Sequence, residues 1–194
     1  MIYSLKAIKD TNKKRIIDPI PPVINAKINI IHIKLLINKN KNQITVAKAV
    51  ELLKAKGYQI DYTIIGKIKN KKIFQKLIKY NFVNYVESKS KEELIMYYRY
   101  ADILVLPSIH ETFGLVYAEA MSQGLPVIYS KGQGFDMQFE DGEVGYSVDC
   151  FDANDISNKI CAIKANYDEI SNRCLDNCNK FDWKSILDKY INIY

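Results

Sequence analysis

The sequence predicts a doubly wound α/β domain built on a parallel β-sheet, and two features carry that prediction. Short runs rich in isoleucine, valine and leucine alternate along the chain with longer amphipathic segments. Consecutive parallel strands need a long crossover, usually a helix, so this alternation is typical of a parallel sheet. The short runs are also almost continuously apolar, as expected when helices cover both faces of the sheet.

The bulk composition indicates an ordinary globular domain. The chain has 194 residues, of which 48% are hydrophobic and 26% are charged, and this length suffices for one sizeable core. The net charge of +6 comes from lysines scattered along the chain. Because they form no basic stripe with interleaved aromatic residues, we expect no nucleic-acid partner.

We recognise no signal peptide or long apolar span, so the expected location is the cytoplasm, the inner face of the membrane included, with at most peripheral membrane contact.

The cysteines and histidines do not indicate a metal site. The four cysteines have no CxxC spacing, and the chain has only two histidines, so we expect no bound metal. Cys174 and Cys178 lie four residues apart on a predicted helix and are expected to be small buried side chains. His32 lies inside a predicted strand and is expected to be a core residue.

The N-terminal segment, residues 1–27, fits no single element. Residues 9–15 are polar and basic, and Pro19, Pro21 and Pro22 forbid a regular helix after them. We expect residues 1–27 to be a linker or the remnant of an N-terminal domain. Residues 28–194 are expected to form the folded domain.

From residue 28 the strands and helices alternate regularly. A β-branched run opens the first strand, Gly57 stands where a helix ends, and Ser90 with Glu93 forms a capping box at the start of another helix. The elements predicted in this part are a strand over 28–33, a polar loop over 34–42, a helix over 43–56, a strand over 58–66, a helix over 71–80, a strand over 82–87 and a helix over 91–99.

The segment 101–128, ADILVLPSIHETFGLVYAEAMSQGLPVI, is the part around which we expect the chain to be organised. It contains a buried strand, a loop with Pro107, Ser108 and His110, a helix and a second buried strand. The elements predicted from here on are strands over 103–106 and 127–130, a helix over 114–123, a short helix over 137–139, a short strand over 146–148, and helices over 155–165, capped by Asn154 or Asp155, 167–179 and 182–193.

The fold is therefore Rossmann-like, and such sheets bind ligands beyond the carboxyl ends of their strands. Glu111 and Glu119 flank Gly114 at the start of a helix that follows one of these ends. A helix N-terminus presents unpaired N–H groups and a partial positive charge, which suits a phosphate. Gly114 has no Cβ, so a ligand can approach its backbone closely. Glu119 lies roughly 7–8 Å further along the axis, where a carboxylate can accept both hydroxyls of a ribose.

The sequence HETFGLVYAEAMSQGLPVI resembles the signature of the group 1 glycosyltransferases, in which two glutamates separated by seven residues flank a small-aromatic-Gly-Leu core. The resemblance extends to ADILVLPS before it and to EDGEVGYSV and FDW after it. It implies one half of a GT-B fold, in which two Rossmann-like domains face each other across a cleft. It also implies retaining transfer of a hexosyl group from a nucleotide-diphosphate sugar, of the UDP or GDP type, to a saccharide or lipid-linked acceptor, without a metal or other cofactor.

The resemblance also implies roles for individual residues. Glu111 would be the catalytic residue, which bonds hydroxyls of the donor sugar and stabilises charge as the glycosidic bond breaks. Glu119 would hold the ribose, whereas His110 has no role in the family's mechanism. The backbone would contact the sugar and distal phosphate at Thr112, Phe113, Gly114 and Leu115, and the base at Tyr85 and Val86.

The family places an arginine and a lysine in the loop after the first strand, where they face the diphosphate. In this chain the corresponding sequence is IKLLINKNKN, residues 33–42. Lys41 fits the lysine position, with Lys39 as the alternative. Either Lys34 substitutes for the arginine, or Leu35 occupies its place and the charge is lost. Because lysine is the poorer bidentate phosphate ligand, we expect weaker donor binding or slower turnover.

The chain is short for this family, whose members carry an N-terminal acceptor-binding domain of similar size. We expect the donor-binding half alone: a fragment, a truncated gene product or one subunit of a split enzyme, with an N-terminal domain on another chain as partner. The family's commonest setting is polysaccharide or glycolipid biosynthesis. The alternatives are a non-catalytic nucleotide-sugar-binding or interaction module left by truncation, and a response-regulator or flavodoxin-like domain, whose acidic or flavin-loop features are missing.

Overall fold

The computed structural model describes residues 27–181. The strands are β1 (Ile28–Ile37), β2 (Ile60–Ile68), β3 (Val83–Val86), β4 (Ile103–Leu106), β5 (Val127–Ser130) and β6 (Gly145–Val148). The helices are α1 (Gln43–Ala55), α2 (Lys71–Leu77), α3 (Lys91–Tyr100), α4 (Leu115–Met121), α5 (Ala153–Ala165) and α6 (Tyr167–Asn177). Short 3-10 turns span Lys39–Lys41 and Cys178–Phe181.

The strands form one parallel sheet in the order β3-β2-β1-β4-β5-β6. β1 and β4 are neighbours at the centre, with Ile30 opposite Ile103 and Ile31 opposite Leu104. The chain therefore winds outwards from β1 to one edge and outwards from β4 to the other. The predicted doubly wound parallel sheet is confirmed. The strand order reverses between β1 and β4, and the crevice beyond their carboxyl ends is where such sheets bind ligands.

The core explains why the central strands are apolar throughout. Every residue of β4 and β5 is buried, because helices cover the sheet on both faces. The face of α1 formed by Val46, Val50 and Leu53 is fully buried. His32 on β1 is also fully buried and lies 3.3 Å from the Tyr62 hydroxyl, which confirms it as a core residue. Cys174 and Cys178 are buried as predicted.

β1 is longer than predicted, and this moves the loop that follows it. The strand continues to Ile37 past an irregularity between Ile33 and Leu36, so the predicted polar loop over 34–42 is too long. Leu36 and Ile37 pair with β2, and Ile37 is 1% exposed. The pairing and burial of these apolar residues outweigh the single lysine at position 34, which alone indicated a loop.

Some other boundaries also differ from the prediction. α2 ends at Leu77 and not at 80. Residues 137–139 form a turn, because Met137 adopts a left-handed backbone (φ +65°) that no α-helix accommodates. Asp152, and neither Asn154 nor Asp155, caps α5 with its side chain. Gly57 is confirmed at the C-terminal glycine position of α1, directly after the capping residue Lys56, with φ +92°. The expected linker over 1–27, apart from its last residue, and the expected helix over 182–193 lie outside the described residues.

The predicted capping box at α3 is confirmed: Ser90 Oγ accepts from Glu93 N, and Glu93 Oε2 accepts from Ser90 N. We expect Ser90→Ala to lower the free energy of unfolding by about 1 kcal/mol, because one first-turn N–H loses its acceptor. Urea unfolding followed by circular dichroism measures this. A decrease equal to that of Glu92→Ala, which leaves both bonds of the box in place, would contradict it.

Candidate functional site

The loops that follow β1 and β4 are joined directly at the crevice. Asn40 accepts from the Ile109 N–H through its carbonyl (2.8 Å) and from the His110 N–H through its side chain (2.8 Å). The Asn40 amide group in turn donates to the His110 carbonyl (3.0 Å). No pattern in the sequence predicted this contact. Asn40 holds together the two loops that carry the predicted site residues.

Lys41 and Glu111 form an ion pair inside this crevice. Lys41 Nζ lies 3.3 Å from Glu111 Oε2, and the two side chains are only 11% and 9% exposed. Ser108 Oγ lies 3.5 Å from both Lys41 Nζ and Glu111 Oε2. Lys39, by contrast, is exposed on the same turn. Of the two lysines that the sequence left open, Lys41 is the one that enters the crevice.

The loop after β5 holds the Glu111 backbone. The Glu111 N–H donates to Gln133 Oε1 (3.0 Å), and the Gly134 N–H donates to the Glu111 carbonyl (3.0 Å). Gly134 packs so tightly that a Cβ there would lie 1.6 Å from the Thr112 carbonyl oxygen. Gln133 and Gly134 were not predicted from the sequence as supports of Glu111, although the glycine-rich run KGQG after a buried strand was an available signal.

Gly114 has a structural reason to be glycine besides access for a ligand. It caps the N-terminus of α4 with φ +71°, and a Cβ would lie 2.4 Å from the Tyr117 ring. Tyr117 is buried and its hydroxyl donates to the Leu106 carbonyl (2.7 Å). The turn that starts α4 is thus fixed against the end of β4. Thr112, Phe113 and Leu115, by contrast, are exposed around it.

Glu119 lies further along α4 and is half-buried. Its Oε2 accepts a hydrogen bond from the buried Tyr98 hydroxyl at 3.1 Å. Tyr98 belongs to α3, so two helices hold this carboxylate. The sequence predicted Glu119 but not its partner.

The remaining predicted residues lie on the edge strand β3 or within β1. Tyr85 and Val86 are at the end of β3. The Tyr85 hydroxyl donates to the Gly66 carbonyl (3.0 Å), and its ring packs 4.8 Å from that of Phe74, so this side chain is engaged in the fold. Lys34 lies within β1 and not in the loop, and its side chain is outside the described part of the structure.

A second concave region is lined by other residues. It is a cleft of about 530 Å³ between the segments that follow β5 and precede β6, and none of the predicted site residues lines it. Acidic side chains dominate it, and its lining includes Asp136, Glu140, Asp141 and Glu143.

Within residues 27–181, no group of three or more histidine, cysteine, aspartate or glutamate side chains is arranged to hold a metal ion. The helices of the same range include none with the length and apolarity needed to cross a membrane.

Comparison with protein families gives one clear match. The model of the family described as "Glycosyl transferases group 1" matches residues 17–180. This range covers most of the chain, including every strand and helix described above.

Curated relatives carry matching segments. The D-inositol 3-phosphate glycosyltransferase of Corynebacterium kroppenstedtii is 30% identical over 115 residues, which cover 58% of this chain and 26% of the relative. The enzyme of the same name from Mycolicibacterium vanbaalenii is 30% identical over 113 residues, covering 58% and 25%. The matches thus span about a quarter of the length of these relatives.

Solved structures show the same fold. Sucrose-phosphate synthase from Thermosynechococcus elongatus superposes with a TM-score of 0.73 at 26% identity, covering 86% of this chain and 44% of that one. Anabaena HepE in complex with UDP and glucose gives a TM-score of 0.74 at 19% identity, covering 86% and 48%. The C-terminal domain of a group 1 glycosyltransferase (LpcC) from Francisella tularensis gives 0.66 at 23% identity, covering 80% and 87%. The described domain therefore corresponds to one half of a GT-B structure.

Proposed function

This chain belongs to the group 1 glycosyltransferases, and on that premise we propose that its crevice binds the nucleotide-diphosphate part of a sugar donor. The observation that carries the proposal is the ion pair between Lys41 and Glu111, at 3.3 Å and about one-tenth exposed. It lies where the strand order reverses, the position at which doubly wound sheets bind ligands. It joins a cation from the loop after β1 to a carboxylate from the loop after β4.

The charges of the crevice suit a diphosphate. Lys41 supplies a positive charge on one side. The first turn of α4 supplies N–H groups on the other side, because the first N–H groups of a helix have no partner within it. Phe113 and Leu115 are exposed at that turn, so a ligand can reach the backbone. In the proposed complex the diphosphate lies between Lys41 and this turn.

The two glutamates divide the rest of the donor between them. Glu111 stands at the start of the turn and would accept from hydroxyls of the sugar attached to the distal phosphate. Its negative charge beside the anomeric carbon would stabilise positive charge there as the glycosidic bond breaks. Glu119, further along α4, would accept from the hydroxyls of the ribose. Tyr85 and Val86 would contact the base through their backbone.

The activity of the whole enzyme extends the proposal beyond this domain. We propose that, together with an acceptor-binding N-terminal half, the domain transfers a hexosyl group with retention and without a metal to a saccharide or glycolipid acceptor in the cytoplasm. The UDP bound to HepE supports a UDP-type donor, with GDP as the other candidate. The inositol-phosphate acceptor in the names of the curated relatives supports a polyol or saccharide acceptor.

Calorimetric titration of the chain with UDP, GDP and their sugars tests the proposal. We expect binding of one of the two nucleotides, and weaker binding of the nucleoside that lacks the diphosphate. A chain that is folded by circular dichroism but binds neither nucleotide would overturn the proposal. If a nucleotide binds, a transfer assay with a supplied N-terminal half separates an enzyme from a non-catalytic binding module.

Lys41→Met is expected to weaken binding of the preferred nucleoside diphosphate by about tenfold, because hydrogen bonds to charged groups contribute about 1.5–3 kcal/mol. Binding of the corresponding nucleoside should not change, because it carries no phosphate. Lys39→Met, on the same turn but exposed, is the matched control and should bind as the wild type does. Equal losses in the two variants would place the diphosphate elsewhere.

A further inference from the structure

Tyr98 on α3 and Glu119 on α4 form a hydrogen bond between two helices. The Tyr98 side chain is 3% exposed, and its hydroxyl lies 3.1 Å from Glu119 Oε2. Because an ionised carboxylate can only accept, the tyrosine is the donor. Burial, with the charge of Glu119 and the hydrogen bond itself, raises the pKa of Tyr98 well above its usual value. The donor proton is thus retained throughout the physiological pH range.

The bond leaves the carboxylate partly available. Within residues 27–181, no hydrogen bond or ion pair engages the second oxygen, Glu119 Oε1, and the residue is half-buried, not closed off. Each carboxylate oxygen accepts about two hydrogen bonds, so Oε2 can also accept a second one. A glutamate side chain loses rotamer freedom when it is fixed, and this loss opposes ligand binding. A bond that already fixes it in the free protein removes part of that cost from ligand binding.

We propose that Tyr98 is a positioning residue for ribose recognition, which holds the Glu119 carboxylate so that its free oxygen faces the hydroxyls of the donor's ribose. The inference deepens the proposed function and rests on it. Tyr98 itself does not touch the ligand. It acts through Glu119, by restricting the carboxylate to one orientation before the nucleotide arrives.

The test compares two ligands that differ only in the hydroxyls at issue. Tyr98→Phe keeps the buried ring and removes the donor. Its affinity is measured by calorimetry for whichever of UDP and GDP binds, and for the 2′,3′-dideoxy form of the same nucleotide. We expect Tyr98→Phe to weaken binding of the ribonucleotide by about fivefold to tenfold, because the carboxylate must then lose its rotamer freedom when the ligand binds, and to leave binding of the dideoxy nucleotide unchanged. Equal weakening for both ligands, which a merely structural role would produce, or no weakening for either, would overturn the inference.

Two further variants make the outcome specific. Tyr62→Phe removes another buried hydroxyl, 3.3 Å from His32 on the sheet, and should change neither affinity. In a double-mutant cycle, Tyr98→Phe should cause no further loss once Glu119→Ala is present, because no carboxylate is then left to be positioned. Independent, additive losses would contradict the positioning role.

The test also separates this inference from the proposed function. A wild-type chain that prefers the ribonucleotide over the dideoxy form, with an unaffected Tyr98→Phe variant, overturns only the role of Tyr98. A wild-type chain that binds neither UDP nor GDP overturns both.

Discussion

Glu119→Ala should weaken binding of the preferred nucleoside diphosphate by about 10- to 100-fold, the largest effect expected from removing one side chain at the crevice. The carboxylate is the proposed acceptor for ribose hydroxyls, and such charge-assisted hydrogen bonds contribute about 1.5–3 kcal/mol. The variant also leaves the buried Tyr98 hydroxyl without its acceptor. We therefore expect the free energy of unfolding to fall by about 1–3 kcal/mol. Calorimetry and urea unfolding measure the two effects.

The matched control is Glu169→Ala. Glu169 is a helical glutamate on α6 whose side chain is 62% exposed and pairs with Arg173, far along the chain from the crevice residues. The Glu169→Ala variant should bind nucleotide as the wild type does. Unchanged affinity in Glu119→Ala would show that the ribose is held by other groups, even if the nucleotide itself binds.

Gly134→Ala should disrupt the crevice by a steric effect alone. The added Cβ would lie 1.6 Å from the carbonyl oxygen of Thr112 and 2.4 Å from its carbonyl carbon, and backbone atoms cannot rotate away as a side chain can. The loop that carries Glu111 must therefore move, and the bond from the Gly134 N–H to the Glu111 carbonyl must lengthen. We expect a loss of about 2–3 kcal/mol in the free energy of unfolding, together with the loss of nucleotide binding in the fraction that remains folded.

Gly132→Ala separates this clash from a general intolerance of the loop to alanine. Gly132 has φ +71° but no heavy atom within 4 Å of a Cβ. Only backbone strain of about 1–2 kcal/mol is expected there, with nucleotide binding retained in the folded protein. If both variants lost binding to the same extent, the close packing of Gly134 on Thr112 would not be what holds the loop in place.

The parallel sheet could be anticipated from the sequence, because it follows from rules that depend on local pattern. The expectation that Lys41, or alternatively Lys39, faces the ligand came instead from the resemblance to the group 1 glycosyltransferases. Apolar runs alternating with helices determine a parallel sheet, and parallel strands place the loops at their carboxyl ends along one edge. The loop after residues 28–33 and the loop before Gly114 then lie along the same edge of the sheet. Their direct contact depends on β4 lying beside β1, which the sequence pattern did not determine.

Contacts that depend on rotamers and register could not be anticipated. Asn40, Gln133 and Tyr98 each support a site residue from a distant part of the chain, and no spacing rule links such pairs. The end of β1 was predicted too early because Lys34 interrupts its apolar run. Met137 shows the same limit, since its left-handed backbone belongs to a turn whose residues carry no glycine or asparagine signal at that position.

The amide chemical shifts of the chain locate the bound nucleotide residue by residue. On addition of UDP, or of GDP if that is the ligand, we expect shifts at Lys41, in the turn from Glu111 to Leu115 and at Glu119. Contradiction would come from shifts confined to the acidic cleft around Asp136 and Asp141, or from a spectrum unchanged by both nucleotides.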